Sequence, residues 1–170
     1  MVVQGSAGSG VQVRDSTGFS LSASRVQDAA SAGVMELTGV TDSRYTDLVV
    51  TRNGRGAAAY NGDGLQLSGT RVDVRDVVTT DNGSSALYEH GLYVSSAARA
   101  VTLAGVRSSG NAGVAVKLGG SGMLEDSVLV DDRIALYCGT TDGAGWTVRT
   151  TSLTAPRRSV AEKGCSLRLS

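Results

Sequence analysis

The sequence predicts an all-β fold, a parallel β-solenoid of about six coils, on three observations. The first is a short unit that recurs along the chain: a glycine, an apolar residue, any residue, and a second apolar residue. It stands as Gly10-Val11-Gln12-Val13, Gly33-Val34-Met35-Glu36-Leu37, Gly64-Leu65-Gln66-Leu67, Gly91-Leu92-Tyr93-Val94 and Gly113-Val114-Ala115-Val116, with a degraded copy at Ile134-Ala135-Leu136-Tyr137. A strand-like unit repeating at intervals of this size marks a stack of supersecondary coils. The second observation is another apolar alternation within each interval. The third is composition: 23 Gly against 1 Pro in 170 residues, with few aromatics, favours short strands and tight turns over helices.

The coils run roughly over 10–32, 33–63, 64–90, 91–112, 113–133 and 134–159, with 160–170 as a C-terminal cap and the whole chain as one domain. The second strand of each coil is expected at Phe19-Ser20-Leu21, Leu48-Val49-Val50, Val72-Asp73-Val74, Val101-Thr102-Leu103, around Leu124, and at Trp146-Thr147-Val148. A third passes through Val77-Val78, Val106-Arg107 and Val128-Leu129-Val130. A leucine-rich repeat would need a steadier Leu framework with Asn or Cys at a fixed offset. A β-sandwich would account for the alternation and leave the glycine mark unexplained.

Taken with Asn53, Asn82 and Asn111 ahead of the next glycine, the pattern "Asn … Gly-Val/Leu-x-Val" resembles the right-handed parallel β-helix repeat of the pectate-lyase-like superfamily, from about Gly10 to Val148. The resemblance implies a right-handed helix and carbohydrate substrates. That superfamily holds polysaccharide lyases, glycoside hydrolases, uronan epimerases, phage tail-spike depolymerases and non-catalytic surface proteins. Fold alone does not choose among them.

The coils are unequal at one corner. Between Asn53 and Gly64, and between Asn82 and Gly91, the chain carries insertions that are missing between Asn111 and Gly113. Insertions stacked on one side of a solenoid commonly build its binding face. Strand alternation then sets the outward residues. One expected row is Gln12, Gln66, Tyr93, Ala115 and Ala135; the next is Arg14, Ser68, Ser95, Lys117 and Tyr137. In coil two, Met35 and Leu37 are expected inward, because that choice buries no carboxylate.

The chain's single histidine, His90, lies at this corner, in Tyr88-Glu89-His90-Gly91-Leu92-Tyr93. A lyase acting on a uronan must neutralise a carboxylate, take the proton at C5 and protonate the leaving oxygen. The expected set is His90 as base, Tyr88 or Tyr93 as acid or partner, and Lys117 and Arg133 as neutralisers. Glu89, Asp63, Gln66, Asp132 and Tyr137 are expected to contact the polymer. An epimerase needs the same groups, but an Asp-Pro-His signature is missing around His90. Asp63 with Glu89 would be the pair for hydrolysis. Lys117 on a strand also reads as a plain solvated charge, and a lone His beside a Glu as a hydrogen-bonded corner.

No cofactor is expected, although Asp63, Glu89 and Asp132 could hold calcium; one histidine and no paired-cysteine motif speak against zinc. Lys plus Arg and Asp plus Glu are 16 each, a balance that argues against nucleic acid. No apolar run is long enough for a membrane-spanning helix. Met1 to Gly10 lacks the pattern of a secretory signal, yet a polysaccharide substrate points to an extracellular or cell-surface site. Cys138 and Cys165 read equally as one disulfide or as two small core residues. Open solenoid ends call for oligomerisation or for a longer parent chain.

Overall fold

The computed structural model describes residues 1–56, 62–84, 89–130, 133–139, 145–155, 158–163 and 166–169. In chain order its strands are β1 (Val2–Gln4), β2 (Val11–Val13), β3 (Ser20–Gln27), β4 (Val34–Glu36), β5 (Arg44–Thr51) and β6 (Leu65–Leu67). Then come β7 (Asp73–Thr80), β8 (Leu92–Val94), β9 (Val101–Ala104), β10 (Arg107–Ser109), β11 (Val114–Leu118) and β12 (Gly122–Glu125). The last are β13 (Val128–Val130), β14 (Ile134–Gly139), β15 (Gly145–Arg149), β16 (Ser152–Thr154), β17 (Arg158–Lys163) and β18 (Ser166–Leu169). Every strand pair among the described residues is parallel, and the whole is an all-β solenoid of about six turns.

The recurring glycine unit forms one sheet, in the order β17-β14-β11-β8-β6-β4-β2. Its inward column begins with Val11, Val34 and Leu65 and continues through Leu92, Val116, Leu136 and Val160. The second alternation forms the other sheet. In the first three coils the two expected strands merge into one eight-residue strand, seen in β3, β5 and β7. Each bends at a residue with positive φ: Ala23, Asp47 and Asp76. In later coils the same position is Gly105, Asp126 or Thr150, and there the strand is split in two. Aspartate suits this corner because its short polar side chain tolerates the left-handed region.

A buried asparagine ladder ties the next corner together. Asn53, Asn82 and Asn111 stack on successive coils. The Asn53 backbone N–H donates to Oδ1 of Asn82 at 3.1 Å, and the Asn82 N–H to Oδ1 of Asn111 at 3.1 Å. Each Nδ2 donates to the next Oδ1 at 3.0 Å and to a carbonyl of an earlier coil, Val26 for Asn53 and Val50 for Asn82. The ladder satisfies backbone groups that the turn takes out of the sheets.

The same ladder explains the glycine mark. A Cβ on Gly64 would stand 2.5 Å from the Gly91 carbonyl oxygen and 2.7 Å from Nδ2 of Asn82. Gly33 faces the Gly64 oxygen and Nδ2 of Asn53 in the same way, each at 2.7 Å. The corner has no room for a side chain on the residue that enters the first sheet.

Four expectations change. In coil two Val34 and Glu36 face inward, and Met35 takes the outward register position beside Gln12 and Gln66. The buried carboxylate of Glu36 is fully served: it accepts from Ser43 Oγ at 2.5 Å, Tyr45 Oη at 2.8 Å, and the Ser68 and Gly69 N–H groups at 3.0 and 2.9 Å. Burying a charge is costly when it is unpaired, and four donors remove that objection. Leu21 pairs with Tyr45 of β5, a stretch not expected as strand, while Leu48 continues the strand beyond the bend. Residues of the opening segment form β1, which pairs with the second half of β3. Residues 158–163 and 166–169 add a further rung to each sheet where a cap was expected. Cys138 is buried on β14 and disulfide-bonded; Cys165 lies outside the described residues.

Removing the middle of the ladder has a defined cost. Asn82→Ala strands the Asn53 N–H and takes the amide donor from the Val50 carbonyl, while Asn111 Oδ1 keeps the backbone N–H of residue 82; the stranded N–H alone costs about 1–3 kcal/mol. A urea titration should show a clear loss of stability. Gly64→Ala should lower the melting temperature, while Gly8→Ala, where a Cβ meets nothing within 4 Å, should leave it unchanged.

Candidate functional site

The outward face of the glycine-unit sheet carries a row one residue wide. Gln66 pairs with Tyr93, Tyr93 with Lys117, and Lys117 with Tyr137. Successive residues in such a row sit about 4.8 Å apart. Lys117 and Tyr93 were expected in different rows. The register of β11 differs by two: Val116 stands opposite Leu92, so Lys117 stands opposite Tyr93. The cause is the missing insertion after Asn111. With no corner loop, β11 begins two residues early, and Val114 and Ala115 occupy the level that His90 and Gly91 occupy one coil before. The Gly91 N–H accordingly donates to the Val114 carbonyl at 3.0 Å.

The Lys117 ammonium lies 5.1 Å from the ring centroid of Tyr93 and 5.9 Å from that of Tyr137. It is held between two aromatic faces, an arrangement that attracts a cation through the ring quadrupole. All four side chains of the row are partly exposed.

Beneath the row lies a buried polar corner. Asp63 is 2% exposed and His90 3%. Oδ1 of Asp63 accepts the His90 backbone N–H at 2.7 Å. Nδ1 of His90 accepts the Val114 N–H at 3.2 Å. That bond places the ring lone pair on Nδ1 and the proton on Nε2. The His90 ring lies 6.2 Å from that of Tyr93, tilted by 57°. Glu89 is fully buried, and its carboxylate accepts from the Ser84 N–H and hydroxyl. It closes the base of the second insertion, with Gly83 packed against its Cβ and Gly62, from the first insertion, packed against its carboxylate.

Of the expected site residues, the structure brings Gln66, Tyr93, Lys117 and Tyr137 into one row and sets His90 and Asp63 below it. Asp63 and Glu89 do not line the face as expected; both are under it, Asp63 accepting the His90 N–H of the next coil's corner and Glu89 the Ser84 N–H and hydroxyl of its own. Arg133 directly precedes β14, at the level of Gly113. Tyr88 and Asp132 lie outside the described residues. Among the described residues no group of three or more His, Cys, Asp or Glu is arranged to hold a metal ion.

Burial sets the protonation states. Loss of water around Asp63 pushes its carboxyl up to about 7, against the opposing pull of the His90 N–H and Lys117. Burial, with Lys117 nearby, pulls His90 down to about 3. Burial and the neighbouring Asp63 raise the Tyr93 phenol. His90 is therefore a neutral imidazole, and it has no free lone pair to serve as a base.

No protein-family model, curated protein or solved structure matches the chain.

The two large shifts give opposite pH dependence. The Asp63 carboxyl is raised, so its stabilisation is present at low pH and lost as pH rises from its ordinary 3.8 through about 7. The His90 shift is downward, so its stabilisation is present above 6.5 and lost as pH falls toward about 3. Relative to wild type, His90→Gln should therefore gain stability on acidification from pH 6.5 toward 3.8, and Asp63→Asn should lose it over the same interval. Urea midpoints across that interval check this; parallel trends in the two variants would refute it.

Proposed function

We propose that the outward face of the glycine-unit sheet binds an acidic polysaccharide. The observation that carries this reading is the seating of Lys117 between Tyr93 and Tyr137, with Gln66 continuing the row. A row of four rungs spans roughly 14 Å, room for a few sugar units lying along the solenoid axis. Tyrosine rings give sugar-stacking platforms with little conformational cost. Lys117 supplies the charge for a carboxylate or sulfate, and the row contains no acidic side chain to repel one. Asp63 and Glu89, carboxylates of the corner below, are buried. The resemblance of the repeat to the pectate-lyase-like superfamily supports a carbohydrate ligand. The disulfide at Cys138 supports an oxidising, extracellular or cell-surface setting.

Turnover by β-elimination is the second reading, favoured by one observation: the Tyr93 phenol and the Lys117 ammonium lie side by side. Lys117 would neutralise the uronate carboxylate and Tyr93 would protonate the leaving oxygen. The base is the weak point. His90 has no free lone pair, and burial disfavours the Tyr93 phenolate. Binding without turnover is therefore the leading reading.

Calorimetry with pectate, alginate and hyaluronan oligomers, with neutral dextrin as the control, tests it. The wild type should bind at least one of the acidic oligomers and not the dextrin. Lys117→Ala should weaken binding about tenfold, the scale of one charge-assisted contact, and Tyr137→Ala should weaken it several-fold. Failure of the wild type to bind any polyanion, or unchanged binding by Lys117→Ala, would overturn the proposal. Appearance of an ultraviolet-absorbing unsaturated uronate product would establish the elimination reading.

A further inference from the structure

His90 carries a buried donor that the fold does not use. Its Nδ1 is occupied by the Val114 N–H, and its Nε2, in a residue only 3% exposed, has no hydrogen-bond partner among the described residues. A stranded buried donor costs about 1–3 kcal/mol, and folded proteins contain few. The other polar side chains of this corner are committed: Asn82 and Asn111 to the ladder, Asp63 to the His90 N–H, Glu89 to Ser84. The His90 ring lies 6.2 Å from the Tyr93 ring, and the Lys117 ammonium lies 5.1 Å from that same Tyr93 ring.

We propose that His90 is a ligand-reading residue, a neutral imidazole of fixed tautomer whose Nε2–H, sealed from solvent in the free protein, is given on binding to an acceptor oxygen of the glycan beside the Tyr93 ring. This rests on the polysaccharide-binding reading of the face. It assigns His90 a role different from a proton acceptor. A base would need its lone pair free, whereas here the Val114 N–H holds that lone pair and so aims the opposite nitrogen as a donor. Burial disfavours protonation of the ring, as does Lys117; among the described residues Asp63, Glu89 and Tyr93 are the other titratable groups of this corner, and Asp63 engages the His90 backbone, not its ring. The donor is thus presented unchanged across the physiological range. A sugar carboxylate or hydroxyl is a suitable partner, and an ammonium group is not.

The single histidine makes the test direct. Nitrogen-15 correlation spectra of histidine-labelled protein report both ring nitrogens without ambiguity. The free protein should show the neutral, Nε2-protonated tautomer from about pH 8 to about pH 5. Titration with an oligogalacturonate or oligoalginate shown by calorimetry to bind should then shift the Nε2 and Hε2 signals in step with the bound fraction. In affinity, His90→Phe should lose about tenfold and His90→Gln, which restores an N–H donor, should recover part of that loss. Saturation with no change at Nε2, or a ring that titrates near its ordinary value, would overturn the inference while leaving the binding face intact. Absence of any binding would defeat both.

Discussion

The structure depends on one constraint: a corner of each coil must turn the backbone out of both sheets without leaving its N–H and C=O groups unpaired. Asn53, Asn82 and Asn111 meet it by donating to backbone carbonyls of the preceding coil and by bonding lengthwise to each other. Because the amides lie against the entry to the next strand, that entry has no space for a Cβ. The glycine repeat and the asparagine repeat are two faces of one steric and hydrogen-bonding solution. Neither could change alone without stranding polar groups or driving a side chain into backbone.

Two buried acidic sites show how different the same problem becomes in different settings. Glu36 lies in the core, where hydroxyls of Ser43 and Tyr45 and two N–H groups surround it. Burial and the carboxylate together push the Tyr45 phenol far above its ordinary range, so Tyr45 remains a donor to Glu36. This site is closed and structural. Asp63 and His90 lie under the outward face, where each spends one acceptor on a neighbouring backbone N–H. Their corner is less complete, with one imidazole donor unused, and it abuts the exposed row. A fully satisfied network rigidifies a fold, whereas an incomplete one next to a surface is where recognition chemistry can be placed.

The candidate face arises from a difference between coils. Where the insertion is lost after Asn111, β11 starts two residues early and brings Lys117 beside Tyr93. Equal repeats would have set a small alanine there. The two inserted corners matter as well, because their bases, closed by Gly54 against Gly62 and by Glu89 against Gly83, deliver Asp63 and His90 to adjacent levels of the stack.

The repeat order, the stacking of Gly-apolar-x-apolar units and the turn role of the three asparagines were all determined by the sequence alone, because a glycine at a crowded corner and an alternation of period two are local requirements that each residue must meet in place. The composition of the outward row was decided only by tertiary structure. Val114-Ala115-Val116 and Val116-Lys117-Leu118 satisfy the same alternation, and the choice between them rests on how much chain the preceding corner consumes. The inward turn of Glu36 was likewise hidden, since its donors come from Ser43, Tyr45, Ser68 and Gly69, scattered along the chain and assembled only when the coils stack. Local patterns specify which residues can face inward, and the stacking of neighbouring coils specifies which of them do.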